Sequence, residues 1–280
     1  MAPRFLLCTD LDRTLLPNGP EAETPGVRQR FAALVNLPEI ILAYVSGRDR
    51  DKMEQVVAEY ALPRPDWAIT DVGATLWNID EGAWKRDRGW ETHLAGQWHP
   101  GDRESLARRL EGITPLELQE ENRQGRFKLS YYIPPLADPE PLLTTLRERL
   151  DPVGIGYHLI ASTDEVLQLG FLDVMPPDGS KHGAVEFLRT RERFDPDRVL
   201  FAGDSGNDLD LLASPIPAVL VANAEASVRH RVVTKARSNN TLSALCLASG
   251  RFGMNGCYAA GILEGLAHFH PEYIPWITTE

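Results

Sequence analysis

Apolar runs and amphipathic stretches alternate along the first third of the chain. The runs at 5–8 and Ile40–Val45 are continuously apolar, as expected of strands that are buried on both faces. Between them, Thr24-Pro25 indicates a helix start, with threonine as the N-cap and proline in the first turn. A second amphipathic stretch leads to a third short strand at Trp67–Thr70. This β-α-β-α-β order predicts a parallel sheet with right-handed crossovers.

The pattern changes near residue 80, where an aperiodic stretch rich in tryptophan, glycine, histidine and charge begins. Beyond it, alternating apolar and polar residues are typical of half-buried strands, and helical periodicity separates these strands into pairs. The predicted elements are a helix from about 102, strands at 116–120 and 127–133, a helix from 138, and strands at 157–161 and 166–169. Together they predict an α+β module over residues 81–170, inserted into the β-α series.

The β-α series resumes after this module. Ser180 is a suitable N-cap for a helix, and a buried strand is expected at 199–202. An apolar C-terminal helix is expected over about 258–269. The predicted fold class is therefore α/β with a parallel sheet, in which residues 1–80 and 171–280 form the core domain.

Net charge and cysteine content indicate which partners and which cellular compartment to expect. The 280 residues carry a net charge of −11, which argues against nucleic-acid binding because that requires a basic face. The three cysteines are widely spaced and odd in number, so no disulfide framework is expected and a reducing compartment fits. Neither a signal peptide nor a membrane span is recognisable. We therefore expect a cytoplasmic protein that binds neither nucleic acid nor membrane.

Two carboxylates, Asp10 and Asp12, stand where the first apolar run ends. Ligands of open α/β sheets bind beyond the carboxyl ends of the strands, and side chains two positions apart in an extended segment share a face. The two carboxylates would repel each other unless a cation such as Mg²⁺ is shared. One could then attack an electrophile while the other moves a proton. A plain surface turn, where aspartate is common, is the alternative for this pair alone.

Two further segments offer donors for a phosphate group. Ser46 and Gly47 end the second buried strand, where a hydroxyl can donate and glycine lets an anion approach the backbone. Lys181 opens the helix after Ser180, and a helix N-terminus itself favours anions. Taken singly, a capped turn and a solvated lysine are the more ordinary explanations.

The most specific segment, G-D-x-x-N-D at 203–208, joins a buried strand to a helix. Asp204 is placed to bind the same cation as Asp10. Asp208 can ligate that cation, hydrogen-bond a metal-bound water or orient Lys181. An acidic helix cap is the alternative for this segment alone.

Four motifs in a fixed order identify a family. With D-x-D-x-T, S-G-R, a helix-opening lysine and G-D-x-x-N-D in succession, the chain resembles the haloacid dehalogenase (HAD) superfamily of phosphohydrolases. The segments 71–77, 128–132 and 259–269 resemble, more narrowly, its sucrose-phosphate phosphatase branch. This resemblance implies a Rossmann-like HAD core and an α+β cap domain over 81–170. It also implies a Mg²⁺-dependent phosphatase of a small-molecule sugar phosphate, with sucrose 6-phosphate as the leading substrate.

The resemblance assigns roles to the motif residues. Asp10 would attack phosphorus, and Asp12 would protonate the leaving sugar oxygen and then deprotonate the hydrolytic water. The residues expected to bind Mg²⁺ are Asp10, Asp12 through its carbonyl, Asp204 and Asp208. The expected catalytic residues are Asp10, Asp12, Ser46 and Lys181. The expected substrate-binding residues are Ser46, Gly47, Arg48, Lys128, Lys181 and Asn207.

The cap is expected to recognise the leaving group. Alternation places Lys128, Ser130 and Tyr132 on one face of a cap strand, which either faces the sugar hydroxyls or is a solvated sheet face. Two positions depart from the branch: Ser46 stands where it carries threonine, and Arg13 is large for its motif position. Neither departure decides which sugar phosphate is the substrate.

Other functions fit the same motifs. A phosphatase of another glycoside phosphate, such as mannosylfructose phosphate or a glycosylglycerate phosphate, would differ only in its cap residues. A phosphomutase on this scaffold would need extra cations in the cap for a second phosphate. A catalytically silent binding module is disfavoured because every acidic motif residue and Lys181 are present. A partner protein, if there is one, is expected to be a sugar-phosphate synthase.

Overall fold

Two sheets organise the protein in the computed structural model, which describes residues 4–136, 138–164 and 168–278. In chain order the strands are β1 (Phe5–Thr9), β2 (Ile40–Val45), β3 (Trp67–Thr70), β4 (Thr75–Asp80), β5 (Ala83–Arg86), β6 (Glu117–Leu118), β7 (Leu129–Ile133), β8 (His158–Asp164), β9 (Leu169–Met175), β10 (Val199–Gly203), β11 (Ala218–Leu220) and β12 (Leu245–Leu247). The larger sheet has the order β12-β11-β10-β1-β2-β3-β4-β5, and the smaller has the order β6-β7-β9-β8.

Helices connect these strands. In chain order they are α1 (Val27–Val35), α2 (Arg50–Glu59), α3 (Arg88–Ala95), α4 (Asp102–Leu110), α5 (Glu140–Leu150), α6 (Lys181–Arg191), α7 (Leu209–Leu212), α8 (Ala226–Ser238), α9 (Ala259–Phe269) and α10 (Ile274–Ile277). Among the described residues, no helix combines the length and the apolar character that crossing a lipid bilayer requires.

The centre of the larger sheet is parallel. β1 pairs with β10 on one side and β2 on the other, and β3, β11 and β12 extend the sheet in the same sense. β4 and β5 add an antiparallel edge. Parallel neighbours need long crossover connections, which the helices provide. The predicted α/β fold class with a mostly parallel, Rossmann-like sheet is therefore confirmed.

Strand β1 shows why its sequence is apolar throughout. Leu6 and Cys8 pack in one buried cluster with residues of α6, whereas Phe5 and Leu7 pack in a second cluster with residues of α1 and α9. All four side chains are fully buried. Because both faces of the strand are covered by helices, a carboxylate is tolerated only where the strand ends, at Asp10.

The smaller sheet is antiparallel, and α4 and α5 pack together beside it. Strand β5 belongs to the larger sheet although it follows residue 80, and β9 belongs to the smaller sheet although it extends beyond residue 170. The domain junctions predicted at residues 80 and 170 stay a prediction. Sheet membership alone would put them after β5 and after β9.

The start of the first helix differs from the prediction. α1 begins at Val27 with Gly26 as its N-cap, whereas the sequence favoured Thr24 as the cap. The Thr24 hydroxyl does not cap the helix because it donates to Asn255 Oδ1 at 2.9 Å and accepts from the Asn255 backbone at 3.1 Å. A tertiary contact thus replaces the local cap.

Two short elements lie in the stretch that showed no periodicity. β5 has four residues and α3 has eight, which is too short for a repeat to stand out in the sequence. The strand predicted at 166–169 falls partly on residues 165–167, which lie outside the described part of the chain.

Candidate active site

Three neighbouring parallel strands end side by side at the candidate site. β1 lies between β2 and β10 and pairs with both in parallel. Asp10 therefore lies between the segments that follow the two other strands, which carry Ser46 and Asp204. The strand order brings the first, second and fourth motifs together at one edge of the sheet.

Lys181 is the buried centre of the site, with only 1% of the residue exposed. Its ammonium donates to Asp10 Oδ2 at 2.8 Å, to Asp208 Oδ1 at 2.7 Å and to Asn207 Oδ1 at 2.8 Å. Burial lowers the pKa of Lys181, but the charges of Asp10 and Asp208 outweigh this effect and raise the pKa above its ordinary value. Lys181 is therefore a fixed cation in the site.

The helix end that carries Lys181 is held in place from two sides. Ser180 caps α6 as predicted, since its hydroxyl accepts from the Gly183 backbone N–H at 3.0 Å. Gly73 has φ +109°, and a Cβ there would lie 2.1 Å from the carbonyl carbon of Ser180. Only glycine lets the loop after β3 approach the helix end so closely.

Three buried carboxylates, those of Asp10, Asp204 and Asp208, have oxygens within 4.8 Å of one another. Burial raises the pKa of Asp10 to about 7, although Lys181 opposes the shift. Burial and the charge of Asp10 raise the pKa of Asp204 well above its ordinary value. A hard divalent cation with oxygen ligands relieves such repulsion, so this donor set fits Mg²⁺.

Asp208 has both of its carboxylate oxygens engaged by donors of the protein. Oδ1 accepts from Lys181, and Oδ2 accepts from the backbone N–H groups of Asp204 and Ser205, each at 3.1 Å. Gly203 leaves the necessary space, since a Cβ there would lie 2.6 Å from Asp208 Oδ2. Of the three roles predicted for Asp208, these contacts favour orienting Lys181.

Asp12 is more exposed than the three buried carboxylates, with 40% of its side chain accessible. Arg48 donates to both of its oxygens, from Nε and from Nη2, each at 2.7 Å. Asn18 Nδ2 donates to Oδ1 at 2.8 Å. The predicted substrate-binding residue Arg48 thus contacts the predicted proton donor, a pairing that the sequence does not indicate.

Ser46 and Gly47 lie next to the fourth motif. The Ser46 side chain is buried, and its oxygen accepts from the Arg48 backbone N–H at 3.2 Å. A Cβ on Gly47 would lie 3.6 Å from Val72 Cγ2 and 4.0 Å from Asn207 Nδ2. The second motif therefore borders the Asn207 side chain that Lys181 contacts.

Lys128, directly before β7 of the smaller sheet, and Ser130, within β7, face the interior. Both are buried, and Ser130 Oγ donates to Asp173 while Lys128 Nζ lies 3.9 Å from Asp173 Oδ1. Burial raises the pKa of Asp71, which directly follows β3 of the larger sheet, and the nearby charge of Lys128 opposes the shift. The alternative of a solvated sheet face is therefore wrong for these two residues, whereas Tyr132 is half-exposed.

Sequence reasoning missed three polar residues near the site. Asp71 directly follows β3, just as Asp10 follows β1, so its position at a strand end was a usable signal. Asp173 lies within β9 and Asn18 lies in the loop before α1, where no periodic pattern marks them.

The smaller sheet also contacts the turn that carries Asn207 and Asp208. β8 of the smaller sheet packs against the turn at Gly206–Asp208. His158 Nε2 in β8 lies 2.9 Å from Asp210 Oδ2 in α7, and Lys235 of α8 forms an ion pair with the same carboxylate. Asp210 therefore connects three elements.

A family model described as sucrose-6F-phosphate phosphohydrolase matches residues 3–270. The chain belongs to this family. It is a HAD-type sugar-phosphate phosphatase of the sucrose-phosphatase family, as the four motifs together with the segments 71–77, 128–132 and 259–269 predict.

Several relatives of this family member cover the chain almost completely. A HAD-like hydrolase of Nitrosococcus oceani is 45% identical over 279 residues, which make up 100% of this chain and 75% of the relative. The glucosylglycerol-phosphate synthase of Pseudomonas anguilliseptica is 31% identical over 265 residues, which make up 95% of this chain and 31% of that relative.

The X-ray structure of the sucrose-phosphatase from Synechocystis sp. PCC6803, in complex with sucrose and phosphate, is 26% identical with a TM-score of 0.76. The match covers 95% of this chain and 98% of that structure. The likeness therefore extends over both sheets and is not confined to the motifs.

Proposed function

We propose that the protein is a Mg²⁺-dependent phosphatase that hydrolyses a sugar phosphate through an aspartyl-phosphate intermediate. The observation that supports this most is the contact of Lys181 with Asp10, beside the buried carboxylate of Asp204. The site thus combines a nucleophilic carboxylate, a fixed cation and oxygen ligands for a divalent metal. Phosphoryl transfer by an aspartate nucleophile needs these three parts.

In the first half-reaction, Asp10 attacks phosphorus and the bond from phosphorus to the sugar oxygen breaks. The Leu11 N–H, 2.6 Å from Asp10 Oδ1, and Lys181 on Oδ2 fix the orientation of the attacking carboxylate. Asp12, in its protonated form, gives its proton to the leaving sugar oxygen. Lys181 and the Ser46 hydroxyl donate to the phosphoryl oxygens, where charge collects in the transition state.

In the second half-reaction, Asp12 accepts a proton from a water that attacks the aspartyl phosphate. The bond from phosphorus to Asp10 breaks, inorganic phosphate leaves, and the carboxylate is regenerated. Asp10, Asp204 and the Asp12 carbonyl would hold Mg²⁺, while Asp208 keeps Lys181 in place. When bound, Mg²⁺ supplies positive charge against the phosphoryl oxygens.

The mechanism is tested by comparing Asp10→Asn with wild type and with a matched control, Asp51→Asn. Asp51 lies exposed on α2. We expect Asp10→Asn to abolish phosphate release and Asp51→Asn to retain it. Wild type should lose activity in EDTA and regain it with Mg²⁺. Phosphate release that survives the Asp10 substitution would reject the mechanism.

Sucrose 6-phosphate is the substrate that we propose first. The matching family model carries this substrate in its description, and the solved relative is in complex with sucrose and phosphate. Lys128, Ser130 and Asp173 are buried polar residues, and the half-buried Asp71 lies close enough for the charge of Lys128 to act on it. This polar group is suited to the hydroxyls of a sugar. We propose that this group binds the leaving sugar.

Other glycoside phosphates remain as alternatives, including mannosylfructose phosphate, glycosylglycerate phosphates and glucosylglycerol phosphate. The last is added because a relative is named as its synthase. Initial rates with these esters, sucrose 6-phosphate and hexose 6-phosphates would rank the substrates by kcat/KM. Lys128→Met should raise KM for the best sugar phosphate about tenfold or more and leave p-nitrophenyl phosphate nearly unaffected.

We further propose that the protein acts in the cytoplasm and that its protein partner is a sugar-phosphate synthase. All three cysteines are free and buried, which fits a reducing compartment. The relative named as a synthase is more than twice as long as its matched part, so synthase and phosphatase-like segments occur in one chain there. Separate elution of this protein and the synthase of its own organism on size exclusion would reject the partnership.

A further inference from the structure

Arg13 occupies an unusual backbone position beside the candidate metal site. Its φ is +55°, in the left-handed region that favours glycine, and only 16% of its side chain is exposed. Asn18 Oδ1 accepts from the backbone N–H of Arg13 at 2.8 Å, and Asn223 Nδ2 donates to the backbone carbonyl of Arg13 at 2.6 Å. The backbone is therefore fixed on both sides of the residue.

The Arg13 guanidinium contacts Asn223 and Glu225 through Nη2, and its Nε lies near Asp204. Nη2 donates to the Asn223 carbonyl at 3.1 Å and to Glu225 Oε1 at 3.2 Å. Nε lies 3.8 Å from Asp204 Oδ2 and is buried without a hydrogen-bond partner among the described residues. A permanent positive charge thus lies next to one of the two carboxylates that would hold Mg²⁺.

The charge balance of the site depends on this arginine. The carboxylates of Asp10, Asp204 and Asp208 outnumber the cations Lys181 and Arg13 by one charge. Without Arg13 the excess would be two, which a divalent cation would neutralise completely. With Arg13, the site with a bound divalent cation is more positive than it would be without the arginine, although the half-exposed Glu225 offsets part of that charge. The added positive charge favours a phosphate dianion.

We infer that Arg13 weakens Mg²⁺ binding by the free protein and strengthens binding of the phosphoryl dianion by the metal-loaded protein. Arg13 thereby acts as a positioning charge beside Asp204. This inference rests on the proposed metal site. It assigns a role to Arg13, one of the two motif positions at which the sequence departs from its branch.

Calorimetric titrations of wild type, Arg13→Gln and Arg13→Lys with MgCl₂ test the inference. Arg13→Gln should bind Mg²⁺ about three- to tenfold more tightly than wild type, because an uncharged side chain removes the repulsion. Arg13→Lys keeps the charge and should stay closer to wild type. With Mg²⁺ saturating, inorganic phosphate should bind Arg13→Gln about three- to tenfold more weakly than wild type.

Glu225→Gln is a second variant with the opposite expectation. It removes a half-exposed partner of Arg13 and leaves Asp204 untouched, so more of the arginine charge acts on the site. Mg²⁺ should therefore bind Glu225→Gln about twofold more weakly than wild type. This variant lies at the protein surface and tests the inference even if Arg13→Gln does not fold.

The outcomes separate this inference from the proposed function. If wild type binds no Mg²⁺, the proposed metal site fails and the inference fails with it. If wild type binds Mg²⁺ but Arg13→Gln binds it equally or more weakly, only the inference is overturned. The same holds if Glu225→Gln binds Mg²⁺ as tightly as wild type or more tightly.

Discussion

Arg48 donates to both carboxylate oxygens of Asp12, with Nε 2.7 Å from Oδ2 and Nη2 2.7 Å from Oδ1. Such a two-point contact fixes the plane of the carboxylate as well as its position. Arg48 comes from the segment after β2, so the neighbouring strand orients the residue that we propose as proton donor and acceptor. Arg48 then acts on the chemistry through Asp12.

Arg48→Lys should lower kcat for a sugar phosphate about tenfold or more, because lysine keeps the charge but not the planar two-point contact. With p-nitrophenyl phosphate, whose leaving group needs no protonation, the burst of p-nitrophenol should be slowed much less. Rapid-mixing kinetics with both esters measures the difference. Arg50→Lys, at a half-exposed pair with Glu54, is the control.

If Arg48→Lys slows sugar-phosphate turnover and the p-nitrophenol burst to the same extent, this positioning role is contradicted and Arg48 is placed on the phosphate. An unchanged kcat with both esters would show that the contact between Arg48 and Asp12 does not contribute to catalysis.

Lys181→Met should destabilise the protein as well as inactivate it. The substitution leaves the carboxylates of Asp10 and Asp208 buried without their shared cation, which typically costs about 3–5 kcal/mol. Urea unfolding at pH 7 measures the free energy of unfolding. Lys85→Met removes an exposed lysine paired with Asp80 and should cost less than about 1 kcal/mol.

If the free energy of unfolding of Lys181→Met is within about 1 kcal/mol of wild type, Lys181 is not needed to compensate the buried carboxylates of Asp10 and Asp208. That result would contradict this account of the site.

The proximity of the main site residues could be predicted from the sequence because these residues follow the ends of strands. Asp10, Ser46 and Asp204 each follow a continuously apolar run, and parallel neighbours necessarily end at the same edge of a sheet. The proximity of these residues therefore follows from local sequence and strand order. The fold class follows from the same pattern of alternating strands and helices.

Contacts between side chains from distant segments could not be predicted in this way. The pairing of Arg48 with Asp12 depends on how two loops face each other, and no periodicity encodes it. The same applies to Thr24, whose hydroxyl binds Asn255 and not the helix end that it was predicted to cap. Local propensity loses in such cases to a tertiary hydrogen bond.

Stability below neutral pH should depend on Asp210. Burial alone would raise the pKa of this carboxyl, but the hydrogen bond to His158 and the charge of Lys235 outweigh it and hold the pKa below its ordinary value. A carboxyl with a lowered pKa stabilises the fold above its unfolded pKa of about 3.9 and loses this effect as the pH falls toward the folded value.

Asp210→Asn should therefore be less stable than wild type at pH 7, and the difference should shrink as the pH falls below about 4. Urea unfolding from pH 7 to pH 3 measures it, with the exposed Asp197→Asn as control. A difference that stays constant over this range would rule out the ionised Asp210 as its source.

Mg²⁺ should stabilise the wild-type protein against heat, since it binds carboxylates that otherwise repel each other inside the fold. At a concentration about 100 times its dissociation constant, the gain is about 2.7 kcal/mol, which should raise Tm by several degrees in a chain of this size. Asp204→Asn removes one repelling charge but keeps an oxygen that can accept from Thr14, as Asp204 Oδ1 does at 3.0 Å. This variant should unfold at least as late as wild type in EDTA and should lose most of the Mg²⁺ shift. Thermal scans in EDTA and in MgCl₂, with Asp51→Asn as control, measure both effects. An undiminished Mg²⁺ shift in Asp204→Asn would place the cation elsewhere and remove Asp204 from the proposed metal site.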